Sequence, residues 1–154
     1  MPSHSLDPTD RKILRILQID CRTSVAKIAE QVNLSTSTCW RRITALENNG
    51  IIDRFSIKLD PDALGLGFQA IVHIQLTRHD QDKIKSFFDA IKSKPEVREC
   101  YAMTGQADYH LFVNCEDVNS YNLFLDDFLF RSSVVASAQT SMVLKTIKRQ
   151  DIVV

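Results

Sequence analysis

Ser35-Thr36-Ser37-Thr38-Cys39-Trp40-Arg41-Arg42 places four small hydroxyls in front of an aromatic and two guanidinium groups. Read as the start of a helix, this stretch suits the major groove of double-stranded DNA. Hydroxyls and backbone amides at the helix start can meet phosphate oxygens, and an Arg midway can reach a guanine edge. Cys39, Ile43 and Leu46 form the inward face of that helix. The opposite side carries Ser37, Arg41, Thr44, Ala45 and Asn48, flanked by Thr38, Trp40 and Arg42, with no acid before Glu47. A small helical pair with a merely solvated outer face would show the same spacing.

A second polar cluster is Thr104-Gly105-Gln106-Ala107-Asp108-Tyr109. Gly105 can expose backbone N–H groups to a carboxylate, and Asp108 can accept bonds from an ammonium group. Together they suit the two charged ends of an amino acid, with Gln106 near the ligand side chain. An ordinary hairpin would use the same residues, Gly for the turn and Asp for local backbone bonds.

Other chemistries lack their residues. There is no Gly-rich phosphate loop, no H-E-x-x-H, no G-x-S-x-G and no C-x-x-C pair. Cys21, Cys39, Cys100 and Cys115 are expected to act as small hydrophobes in a reduced compartment. His4, His73, His79 and His110 show no metal-ligand spacing, so neither metal nor cofactor is expected.

The elements that must position the first cluster lie on either side of it. Val25, Ile28, Ala29 and Val32 follow the i, i+3, i+4, i+7 stripe of an amphipathic helix, with Ser24 as its N-cap. Asn33 and Leu34 make a tight turn, Ser35 caps the next helix, and Gly50 ends it. An earlier helix opens on Asp7-Pro8-Thr9-Asp10. It buries Ile13, Leu14 and Leu17, with Ile16 and Ile19 broadening the face. After Gly50 the period becomes two: Phe55, Ile57 and Leu59 alternate with Arg54, Ser56 and Lys58. A half-buried strand with a basic outer face fits the wing of a winged helix-turn-helix, or a strand leading away from one. Arg54 and Lys58 then become candidate phosphate contacts.

Asp60-Pro61-Asp62 and Gly65-Leu66-Gly67 break this pattern. The expected organisation is a DNA-binding domain over 1–60, a hinge over 61–66 and a second domain over 67–154. The back half reads β-α-β-β-α-β. Its strands are Phe68 to Leu76, Val97 to Thr104, Tyr109 to Cys115 and Val134 to Leu144. Its helices are capped by Asp80 and Asp117, with the stripes Ile84, Phe87, Phe88, Ile91 and Tyr121, Phe124, Leu125, Phe128. The order is that of a ferredoxin-like α+β domain, an antiparallel sheet with both helices on one face. Ile71, His73, Phe112, Val135 and Val143 are expected on the other face, where pairing of two sheets in a homodimer would cover them.

Bulk composition is consistent with these assignments. The apolar fraction of 44% with four prolines indicates a packed globular chain. No run approaches the ~18 apolar residues of a membrane span, and Met1 to Arg11 has no signal-peptide character, so the expected location is cytoplasmic. The formal net charge is zero, yet residues 21–58 hold six bases against three acids, whereas from Pro61 onward ten bases meet twelve acids. A mildly basic front half and an acidic back half fit a DNA reader joined to a regulatory module.

From Asp7 to Lys148 the chain resembles the Lrp/AsnC, or feast/famine, transcription regulators. The resemblance is carried by Leu6 to Leu14, Leu34 to Ile43, Leu46 to Ile52 and the loop Thr104 to Tyr109. It implies an N-terminal winged helix-turn-helix and a C-terminal ligand-binding module that dimerises through its sheet. Family members commonly assemble into octameric discs and respond to amino acids. Matched residue by residue, Ser35 to Arg42 begin the recognition helix. Thr104, Gly105 and Asp108 belong to the effector loop, and Thr140 lies near the pocket on the closing strand. Ala107 departs from the pattern, because the family loop usually carries an aromatic just before the Asp; the departure implies either an enlarged pocket or a lost ligand response. The competing resemblance, at the level of architecture alone, is to sirohaem decarboxylases. Such enzymes would need a tetrapyrrole-sized cavity and would lose the basic helix, whereas Arg41 and Arg42 are present here.

Overall fold

Each of the first three helices begins on a side chain that accepts a backbone N–H otherwise left unpaired. In the computed structural model, which describes residues 6–77 and 80–148, α1 is Pro8–Ile19, α2 Val25–Gln31 and α3 Thr36–Asn48. Asp7 accepts from the Asp10 amide at 2.7 Å, Ser24 from Lys27 at 3.4 Å and Ser35 from Thr38 at 3.3 Å. Between α2 and α3, Asn33 takes a φ of 56°, and the Leu34 amide donates to the Ala29 carbonyl at 2.9 Å. α3 ends in a Schellman turn: Gly50, at φ 70°, donates to Glu47, and Ile51 donates to Leu46. Ile13, Leu14, Ile28, Ala29, Cys39, Ile43 and Leu46 are buried together between the three helices. Ile19 is not among them; it is 87% exposed.

One ionic contact joins the ends of this unit. Arg42 on α3 donates from Nη1 to Asp7 Oδ2 at 2.5 Å and to Asp10 Oδ1 at 2.8 Å. The Asp10 backbone N–H and then the Arg42 guanidinium hold the Asp7 carboxyl below its ordinary pKa. That carboxylate therefore adds stability above its unfolded value, and the contribution disappears as pH falls through the lowered folded value. Arg42→Ala is expected to lower the melting temperature of the three-helix unit at pH 7. The difference should shrink as the pH is lowered through the carboxylate range, as measured by thermal unfolding of both proteins.

The strand expected around Phe55 to Leu59 is not formed among the described residues. Residues 53–60 have no regular secondary structure, and Phe55, Ile57 and Leu59 are 48%, 79% and 59% exposed. Alternation marks a chain able to form a strand, but a strand also needs a ladder partner, and the described residues supply none. Among the described residues, the helix-turn-helix is accordingly followed by an irregular segment and not by a paired wing strand. The chain divides into two compact units, one reaching Lys58 and including Lys148, the other Leu59–Ile147.

The second unit is built on β1, Phe68–Leu76. It is followed by α4 (Gln81–Ser93), β2 (Val97–Ala102), β3 (Tyr109–Cys115) and α5 (Val118–Phe124). α5 runs into a π-helical turn over Leu125–Leu129, and β4, Val135–Met142, closes the sheet. β1 lies between β3 and β4 and pairs antiparallel with both, giving the order β2-β3-β1-β4 of a ferredoxin-like fold. Ala70, Val72, Ile74, Leu76, Leu111, Val113 and Cys115 point toward the helices and pack on Phe87, Ile91, Tyr121, Phe124 and Leu129. Burial pushes the Cys115 thiol up to about 11, which keeps it an inert core group.

Val135 departs from the expected open-face position and packs against the helix-side core. The cause is a register shift in which Gln75 faces Ser137 but Leu76 faces Val135. The extra residue turns β4 over at its first position. The open face is consequently more polar than the alternation suggests. Gln69, Ile71, His73 and Gln75 on β1 meet Phe112 and His110 on β3 and Ser137, Gln139 and Ser141 on β4.

Candidate nucleic-acid and effector sites

The outer face of α3 presents the side chains that its sequence suggests. Ser35, Thr36, Ser37 and Arg41 are exposed, Thr38 is half-buried, and Trp40 is 60% exposed. The hydroxyls are interlinked: Ser35 Oγ lies 2.8 Å from Thr38 Oγ1 and 3.2 Å from Ser37 Oγ. A phosphate arriving at this helix start would find hydroxyls whose protons can rotate toward it. No acid among the described residues is paired with Arg41, so its guanidinium is available for a base edge or a phosphate.

Arg42 differs from the reading that set it beside Arg41. Its guanidinium is held by Asp7 and Asp10, so it fastens α3 to the start of α1 and fixes the tilt of the helix. Arg54 and Lys58 are exposed on the irregular segment after α3, and Arg54 Nε lies 3.8 Å from Asp53.

The second cluster is a loop folded against the end of β1. Gly105 takes a φ of +129°, a conformation that side chains disfavour, although nothing within 4 Å would meet an added Cβ. Thr104, Gly105 and Gln106 are exposed, while Ala107 and Asp108 are half-buried. Asp108 closes the loop in three ways. Its Oδ2 accepts from the Leu76 amide at 2.9 Å, its own amide donates to Ile74 at 2.9 Å, and its carbonyl accepts from Met103 at 2.8 Å. The carboxylate thus has a structural partner in addition to any ligand.

Thr140 does not join this loop within the chain. It pairs with Val72, four residues before Leu76 and so about 13 Å along β1. It also lies on the helix side, its hydroxyl 2.6 Å from that of Tyr121. The β4 residue that does communicate with the loop is Ser137, which donates to Gln75 Oε1 at 2.9 Å. Gln75 Nε2 in turn donates to the Gln106 carbonyl. Sequence reasoning passed over Gln75 and Ser137. The available signal was Gln75 itself, a polar side chain at the loop-side end of β1.

Comparison with known proteins bears on both sites. Residues 6–47 match the AsnC-type helix-turn-helix domain, and residues 69–153 match the Lrp/AsnC ligand binding domain. Transcriptional regulator AzlB from Bacillus subtilis is 37% identical over 144 residues, covering 94% of this chain and 92% of that protein. The DNA-binding transcriptional activator DecR from Escherichia coli is 34% identical, covering 93% and 94%. A Neisseria meningitidis transcriptional regulator solved as its L-Met complex superposes with a TM-score of 0.88 at 38% identity, covering 94% of each chain. Escherichia coli AsnC gives a TM-score of 0.87 at 27% identity, covering 95% of this chain and 97% of that one. With a helix-turn-helix in front and a ferredoxin-like ligand-binding module behind, the chain belongs to the Lrp/AsnC family of transcription regulators.

Proposed function

We propose that this regulator reads double-stranded DNA in a sequence-specific manner through the outer face of α3, and that an amino acid bound at the 104–108 loop adjusts its assembly and DNA affinity. The observation that carries the reading is the acid-free exposed face of α3, where linked hydroxyls precede Arg41. Arg41 reaches a base edge. Ser35, Thr36, Ser37 and Thr38 meet phosphates, with Trp40 alongside, and Arg54 and Lys58 hold phosphate further along. Arg42 acts by holding α3 in place. The test is selection of bound genomic fragments from a pool: one shared sequence should be enriched, and a pool recovered without enrichment would reject specific reading.

At the loop, backbone N–H groups beside Gly105 receive the ligand carboxylate and Asp108 the ammonium. Thr104 and Gln106 border the ligand. The L-Met bound to the Neisseria meningitidis relative supports an amino acid as the class of effector. Ala107 leaves space where an aromatic usually stands in the family and favours a bulkier side chain in the ligand. Because Thr140 is about 13 Å along β1 from the loop's anchor, a pocket using both would take Thr140 from a second subunit. The enzyme alternative is disfavoured by relatives named as regulators and by the intact helix-turn-helix.

The open sheet face is the surface through which two copies pair, and dimers then build a higher oligomer, an octamer in this reading. Ile71 and Phe112, with Tyr101 edge-on to the Phe112 ring at 5.8 Å, supply its apolar part. Phe112→Glu would bury a charge in that interface and is expected to convert the assembly to monomers at micromolar concentration. Light scattering of the full chain checks this; an unchanged mass would move the interface elsewhere. No described helix is long and apolar enough to cross a membrane.

A further inference from the structure

The chain's single tryptophan stands on the outer side of α3, and exposure locates the centre of that side. Cys39, Ile43 and Leu46 are buried, and Thr38 and Arg42 on one flank are half-covered. Thr36, Ser37, Trp40 and Arg41 are exposed, Trp40 by 60%. With about 100° of turn per residue, the middle of the exposed arc falls between Trp40 and Arg41. Ser37 lies one turn before both, three residues from Trp40 and four from Arg41. The first acid of α3, Glu47, is two turns beyond Trp40, about 10 Å along the axis. Among the described residues, none hydrogen-bonds to the indole N–H, and no ring or cation stacks on it.

We propose that Trp40 is a specificity-determining residue that reads a thymine by its C5-methyl group, beside the guanine edge taken by Arg41. The inference rests on α3 being the DNA reader and says what its one large apolar side chain recognises. In the major groove all four bases present hydrogen-bonding groups, and thymine alone adds an apolar one, its methyl. An indole offers a single donor and a wide apolar surface, so a methyl suits it better than any polar edge. Trp40 and Arg41 leave α3 at adjacent positions. The thymine therefore lies within about two base pairs of the guanine.

A lone exposed apolar side chain needs no partner on an ordinary surface. This one interrupts a run of hydroxyls and a guanidinium at the most exposed part of the reading helix, where docking into the groove strips its water. Against a phosphate the ring would engage only through its N–H, and most of its apolar surface would meet charged oxygens. Against a methyl, both surfaces leave water together. The gain is that of one buried carbon, about fourfold in affinity. The contact carries sequence information because cytosine, the other pyrimidine, lacks the methyl and presents an amino group in the groove.

The test takes the operator duplex enriched by selection and replaces each thymine in turn by deoxyuridine, which keeps the base pair and removes only the methyl. In anisotropy titrations with the full-length wild-type chain, at least one such replacement should weaken binding about fourfold. In Trp40→Ala that penalty should vanish, the two duplexes being bound alike. Trp40→Phe keeps an aromatic ring without the N–H and should retain the penalty at the same position. Arg41→Ala should retain it too, at a lower overall affinity. Two results would overturn the inference while leaving α3 as the reader. One is a wild-type protein that binds every deoxyuridine duplex as tightly as the natural operator; the other is a penalty undiminished in Trp40→Ala. Operator affinity unchanged in both Trp40→Ala and Arg41→Ala would instead reject α3 as the reader, and the inference with it.

Discussion

Arg41→Ala is expected to lower affinity for the selected operator by about 1–3 kcal/mol, roughly five- to 150-fold, and to relax preference at one base position. The reasoning starts from the helix surface. Cys39, Ile43 and Leu46 fix which side of α3 faces inward, and this leaves Arg41 on the opposite side with no described acid beside it. A guanidinium so placed can donate two bonds to one guanine, and a wrong base leaves those donors unmatched. Lys58→Ala provides the contrast. If Lys58 holds phosphate as proposed, removing its ammonium should weaken all sequences alike and flatten the salt dependence. Anisotropy titrations on the operator and a scrambled duplex separate the two. Operator affinity unchanged in Arg41→Ala would remove α3 as the reader.

The second large effect belongs to Asp108. Asp108→Ala should abolish the response of DNA binding to amino acids. It should also loosen the second unit by about 1–3 kcal/mol, because the Leu76 amide loses its acceptor. Asp108→Asn separates these consequences. An amide oxygen can still accept from Leu76, so stability should return toward that of the wild type. The charge that pairs with a ligand ammonium is gone, so the effector response should remain absent. DNA binding without effector should be near normal in both variants, since α3 lies in the other unit. A full response in Asp108→Asn would show that the carboxylate charge has no part in ligand capture.

Features governed by near neighbours were legible in the sequence. Asp7, Ser24, Ser35, Asp80 and Asp117 each cap the helix that follows them, and Gly50 takes the left-handed position after α3. Alternation gave β1 as Phe68–Leu76 and β3 as Tyr109–Cys115. What was not legible depends on contacts between residues far apart in the chain. The tie from Arg42 to Asp7 spans 35 positions; the helical wheel of α3 sets Arg42 at the flank of the outer face but carries no sign that Asp7 and Asp10 stand beside it. The bulge that turns Val135 inward depends on how β4 meets β1, which no local period encodes. Phe55, Ile57 and Leu59 read as a strand because alternation records what a segment can form, and no partner for it lies among the described residues.

The candidate sites divide in the same way. The exposure of Ser35, Thr36, Ser37 and Arg41 on one side of α3 follows from a single helical period. The 104–108 loop draws its support from Gln75 on β1 and Ser137 on β4, and Thr140 turns to Tyr121 on the far side of the sheet.

The most direct test of the account is the affinity of the full-length wild-type chain for its selected operator, measured with each of the twenty amino acids in turn. A ligand held at the 104–108 loop should change that affinity through a coupling of about 1–3 kcal/mol, a shift of five- to 150-fold for at least one amino acid. An operator bound equally tightly in the presence of all twenty would contradict it.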